Sequence, residues 1–180
     1  MTSIETFPVL IELTPQHDPR GYFVETFHHE RFRAITGPDV EFVQDNASVS
    51  HLWVLRGLHY QLPPSQQGKL VWVAHGAVFD VVVDVRRSSP TFGRWWSREL
   101  NDSAFTQLWV PPGFAHGFLS LADETQVLYK VTAHHAPSAE RVIRWDDAAL
   151  GIDWPLHGIV PVLSIRDRDA PTLAEAEVFD

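Results

Sequence analysis

Thirteen prolines and ten glycines, spread along 180 residues, cut the chain into short apolar runs and leave little room for helices. Runs rich in Val, Ile and aromatic residues between turn residues read as strands. They fall at 9–13, 40–44, 70–74, 77–85, 95–100, 106–110, 117–121 and 125–132. His75-Gly76, between two of these runs, reads as a two-residue hairpin turn. Helical spacing is weak, leaving a short helix over 30–36 and a turn near 148–151. Short strands at this density predict an all-β antiparallel sandwich or barrel with a few short helices. The charged, proline-broken tail from Ser164 is expected to wrap back over the body.

Within this pattern Val54-Leu55-Arg56-Gly57-Leu58-His59-Tyr60-Gln61 stands out, an apolar strand-like run holding an arginine, a glycine and a histidine. Either both polar side chains are solvated on an edge strand, or Arg56 meets an anion and His59 handles a proton inside a concave sheet. A similar choice arises in 79–85, where Phe79, Val81, Val83 and Val85 share one face and Asp80, Val82 and Asp84 the other. That second face is either solvated or lines an interior. In the latter case Asp80 is a candidate site residue, with Lys69, across the expected hairpin, as counter-charge.

The length fits one domain over residues 1–180. A net charge of −9 argues against general nucleic-acid binding, which needs excess Lys and Arg. With no cysteine, disulfides, thiolate nucleophiles and Cys-ligated zinc are excluded. No signal-peptide pattern or membrane-length apolar run occurs, so the cytoplasm is the expected compartment. Pro111-Pro112-Gly113-Phe114-Ala115-His116 resembles a metal-ligand motif of the cupin barrels. Its usual companion is reduced here to His59-Tyr60-Gln61, leaving two ligands at most and too few for a metal. A serine-hydrolase elbow and a phosphate-cradling glycine loop are also missing. Metal-free acid–base chemistry remains, with His59 as base, Lys69 to stabilise an enolate and Tyr129 to donate a proton.

The ordered motifs Asp18-Pro19-Arg20-Gly21-Tyr22-Phe23-Val24-Glu25, Gln44-Asp45-Asn46-Ala47-Ser48, Leu55-Arg56-Gly57-Leu58-His59-Tyr60-Gln61, Ser89-Pro90-Thr91-Phe92-Gly93 and Gly151-Ile152-Asp153-Trp154-Pro155 together resemble the dTDP-4-dehydrorhamnose 3,5-epimerase family. The likeness implies a cupin-like jelly roll, a homodimer, no cofactor and a dTDP-4-keto-6-deoxyglucose substrate inverted at C3 and C5. It implies His59 as base with Asp167 behind it, Tyr129 as acid, Lys69 at the enolate oxygen and Asp80 nearby. It assigns Arg20 and Arg56 to the diphosphate, and Phe23, Glu25, Gln44, Asn46 and His116 to substrate contacts. His135 is expected near the base, since His134-His135 stands where the family often carries Tyr-Tyr. Epimerisation at one carbon only, or non-catalytic binding of a sugar nucleotide, remain alternatives.

Overall fold

A computed structural model describes residues 7–180. Twelve strands and two short helices follow in the order β1 (Val9–Glu12), β2 (Gln16–Asp18), β3 (Gly21–Phe23), α1 (His29–Thr36), β4 (Gln44–Ser50), β5 (Leu55–Gln61), β6 (Lys69–His75), β7 (Ala77–Asp84), β8 (Trp95–Asn101), β9 (Thr106–Val110), β10 (Phe114–Ser120), β11 (Thr125–Val131), β12 (Glu140–Val142) and α2 (Ile165–Arg168). Two five-stranded antiparallel sheets form, ordered β1-β9-β6-β11-β4 and β12-β5-β10-β7-β8, with β2 and β3 as a separate hairpin. The sheets pack face to face as a jelly roll. No described helix is long and apolar enough to cross a membrane.

Two expectations need correction. Strands β6 and β7 do not pair as a hairpin: β6 pairs with β9 and β11, whereas β7 pairs with β8 and β10. Gly76, at φ +81, turns the chain from one sheet into the other, and a Cβ there would stand 2.5 Å from Thr125 Oγ1. Lys69 and Asp80 therefore sit on opposite sheets. The strand expected over 40–44 begins instead at Gln44. Val40 and Phe42 pack as loop residues against Phe27, Phe32 and Trp109 in a satellite core.

Both faces of the β7 sheet are covered. Val78 and Val82 join Val71, Val110, Phe118 and Val127 between the sheets. Val81, Val83, Leu55, Leu58 and Tyr60 face outward and are covered by the C-terminal segment through Leu150, Trp154, Leu173 and Ala176. The tail wraps back as expected, with Tyr60 Oη donating to the Glu177 carbonyl at 2.6 Å. Burying both faces removes apolar area from water, the main favourable term in folding.

Leu55 and Leu58 share the outer face although three residues apart, which regular alternation forbids. The cause is an irregularity in the β5–β10 pairing between His116 and Phe118, with Gly57 at φ +128. A Cβ on Gly57 would lie 2.5 Å from Gly117 Cα, so the two backbones touch. Arg56 and His59, also three apart, both turn to the interior as a result. Gly57→Ala should lower stability by at least ~2 kcal/mol, adding a backbone clash to positive-φ strain. Gly151→Ala (φ +59, nearest atom 3.9 Å away) should lose about 1 kcal/mol. Urea midpoints measure both; equal losses would mean that the close approach is not the constraint.

Candidate active site

His59 on β5 and His116 on β10 are cross-strand partners. Each imidazole is held by a carboxylate behind it. His59 Nε2 lies 2.5 Å from Asp167 Oδ1, and His116 Nε2 lies 2.8 Å from Asp80 Oδ2. Asp167 comes from α2, the single helical turn in the returning tail. Ser164 Oγ donates to its other oxygen at 2.8 Å. Burial works to raise the Asp167 pKa, but hydrogen bonds from His59 and Ser164 outweigh it and leave the pKa lowered. An ionised carboxylate only accepts, so His59 Nε2 is the donor of this bond and Nδ1 is the ring nitrogen left for another partner. Asp80 is wholly buried on the inner face of β7, which settles its orientation toward the interior. Its strand-mate Asp84 is equally buried but spent structurally, accepting from Arg86, Ser89 and Thr91.

From the facing sheet, β6 contributes Lys69 and β11 contributes Tyr129. Lys69 is buried and its Nζ donates to the His59 carbonyl at 3.2 Å, tying one sheet to the other. Burial pushes its pKa down to about 8, partly offset by the charges of Glu140 and Asp80. Burial also raises the Tyr129 pKa, opposed by Arg56, so the phenol stays protonated well above neutral pH.

His59, Lys69 and Tyr129 line two adjoining cavities between the sheets. The first, about 260 Å³, is completed by Gln44, Asn46, Gln61, Gln67, His135 and Glu140. The second, about 190 Å³, is completed by Ser48, Arg56, His116, Phe118 and Val127. Ten of the thirteen expected residues thus converge, counting Asp167 and Asp80 behind the histidines. Arg20, Phe23 and Glu25 line neither cavity. Arg20 pairs with Asp18 on the exposed β2–β3 hairpin, Phe23 is 72% exposed, and Glu25 accepts from Arg31. Among the described residues no three His, Asp or Glu side chains cluster as a metal ion requires.

Glu140 was not singled out by the sequence. It binds His135 Nε2 at 3.1 Å and pairs with Arg166. Burial raises its pKa, yet the hydrogen bonds from Arg166 and His135 prevail and hold the carboxyl below its usual range. Strand β12 is only three residues long, too short for alternation to mark it.

Two opposed antiparallel sheets enclosing an imidazole–carboxylate pair, an ammonium and a phenol define a cupin-like jelly roll with titratable side chains gathered between its sheets. A family model described as dTDP-4-dehydrorhamnose 3,5-epimerase matches residues 2–175. The dTDP-4-dehydrorhamnose 3,5-epimerase of Salmonella typhimurium is 48% identical over 159 residues, 88% of this chain and 86% of that protein. A dTDP-6-deoxy-D-glucose-3,5-epimerase from Legionella pneumophila, solved in complex with dTDP-4-keto-L-rhamnose, has a TM-score of 0.89 at 45% identity, covering 93% of this chain and 88% of that one. A 3'-monoepimerase from Streptomyces bikiniensis, solved with dTDP-quinovose, has a TM-score of 0.88 at 42% identity, covering 96% and 86%. The chain belongs to the dTDP-4-dehydrorhamnose 3,5-epimerase family.

Buried Lys69 carries a measurable linkage. The unfolded state keeps the lysine proton up to about 10.4, while the folded state releases it near pH 8. Between those values the unfolded chain binds more protons, so stability rises with pH, by roughly 3 kcal/mol at most. Denaturant titrations from pH 7.5 to 10.5 should show this rise in the wild type and a flatter profile in Lys69→Met. Parallel profiles would place the proton elsewhere.

Proposed function

We propose that this chain inverts C3 and C5 of dTDP-4-dehydro-6-deoxy-D-glucose, giving dTDP-4-dehydro-L-rhamnose through enolate intermediates. The observation that carries this is that His59 and Tyr129 stand on opposing sheets with Lys69 beside them. Inversion requires a proton to leave one face of a carbon and return to the other, so base and acid belong on opposite walls. His59 Nδ1 takes the hydrogen α to the C4 ketone, and Asp167 stabilises the resulting imidazolium. The electron pair moves onto the ketone oxygen, where the Lys69 ammonium meets the developing charge. Tyr129 then delivers a proton from the opposite side. Arg56 supplies further donors for ketone or phosphate oxygens, and His116, held by Asp80, lines the same cavity. Gln44, Asn46 and His135 face the nucleotide end. The cytoplasmic setting expected from the sequence suits such a substrate.

The likeness to a monoepimerase favours one second reading, inversion at a single carbon. Incubation with the 4-keto sugar nucleotide in heavy water, followed by NMR, separates the readings. Deuterium at C3 and C5 supports double inversion, at one carbon the second reading, and at neither a binding protein without chemistry. His59→Ala should abolish exchange at both carbons, by 10³-fold or more. Tyr129→Phe should keep proton removal while slowing inversion at least 10²-fold. Wild-type kcat/KM should fall on an alkaline limb near pH 8 as Lys69 loses its proton. A rate flat to pH 10 removes the lysine from the mechanism.

We also propose that the homodimer expected from the sequence places Arg20, Phe23 and Glu25 in a second copy's cavity. An exposed hairpin bearing an unburied phenylalanine suits that contact. Co-expressed His59→Ala and Arg20→Ala chains should regain activity in mixed dimers, because one site then lacks both substitutions. No regain would mean that each hairpin serves its own chain.

A further inference from the structure

The β2–β3 hairpin carries Arg20 at its turn and Phe23 on its second strand, yet a lone two-stranded ribbon is only marginally stable in water. No other described strand or helix packs closely against it. Its register pairs Gln16 with Phe23, His17 with Tyr22 and Asp18 with Gly21. Alternation therefore puts His17 and Tyr22 on one side of the ribbon, Gln16 and Phe23 on the other. The first side has a seat. The Tyr22 ring stands edge-to-face on Phe105, with centroids 4.8 Å apart and planes at 83°. His17 lies 5.9 Å from Tyr22 and 6.4 Å from Phe105, so three rings close on one another. Those separations are within the range where aromatic pairs attract. Phe23, on the opposite side, is left exposed.

Phe105 lies in the turn between β8 and β9, far from the hairpin in sequence. Its backbone is at φ +49, a left-handed conformation that disfavours phenylalanine and persists where the surroundings fix it. Its carbonyl accepts from Leu13 N at 2.8 Å, just past the end of β1. One residue thus anchors the chain entering the hairpin by its backbone, and the hairpin itself by its ring. At the tip, Asp18 pairs with Arg20 and orders the guanidinium as well.

Building on the reading that the hairpin serves a second copy's cavity, we infer that Phe105 is a positioning residue for the neighbouring copy's active site. It touches no substrate. It sets the angle at which Arg20 and Phe23 leave the chain. Its loss weakens substrate binding in the other copy and leaves the site of its own chain intact.

Mixed dimers of differently tagged chains, assayed for turnover of the 4-keto sugar nucleotide, test this. As a homodimer, Phe105→Ala should raise KM about tenfold with kcat within twofold, whereas Phe105→Tyr, which keeps the ring, should keep the wild-type KM. Phe105→Ala paired with His59→Ala should show the wild-type KM, because the one site with a base receives an intact hairpin. The double variant Phe105→Ala/His59→Ala paired with wild type should show the raised KM, because the one working base receives the loosened hairpin. The reverse pattern overturns the inference, since Phe105 then serves its own chain. An unchanged KM in the homodimer overturns it too, and a raised KM in both pairings means general damage to the fold and does the same. Arg20→Ala taken through the same two pairings checks the reading beneath. If it acts only within its own chain, the shared site itself fails, whatever Phe105 does.

Discussion

The contact of two glycine backbones, Gly57 on β5 and Gly117 on β10, sets the interior. Without it, β5 would alternate regularly, and Arg56 and His59 would point to opposite faces. One of the pair would be driven into the apolar outer layer beside Val81 and Val83. The irregularity shifts the alternation once, so the leucines stay outward together and both polar side chains face the cavity. No side chain larger than hydrogen fits on either strand at that point.

That arrangement concentrates ionisable groups beside an inter-sheet core of valine and phenylalanine. Charges are costly there unless paired. The structure pairs two histidines with carboxylates and surrounds a lysine with two acids at a distance. Lys69 is the least compensated, which is why its proton is held loosely. In the proposed mechanism, the same incomplete compensation leaves it free to answer a negative charge developing on a substrate. Tightly paired Asp84, by contrast, has no capacity left for a ligand.

Much of this was legible in the chain. Valine-rich runs located most strands, and polar residues inside apolar runs marked Arg56, His59 and Asp80 as out of place. The ordered motifs supplied the family and Asp167, whose approach from the tail no local pattern could reveal. Sheet membership was not legible: His75-Gly76 carries the signal of a hairpin turn, and only packing shows that it is a corner between sheets. Strand β4 was misplaced because its inward face is polar, so the apolar residues just before it imitated a strand. The orientation of Asp80 depended on knowing which face the tail covers. Glu140 lay in a strand too short to have a period.

Because His59 and Tyr129 belong to different sheets, the gap between them is the thickness of the sandwich, roughly 10 Å in such packings. That thickness is fixed by the bulk of Val71, Val82, Phe118 and Val127, none of which needs to touch a reacting atom. In the proposed mechanism, interior volume thereby becomes a stereochemical variable. Lineages sharing this fold have a route to altering which carbons are inverted by repacking aliphatic side chains, leaving every polar group in place.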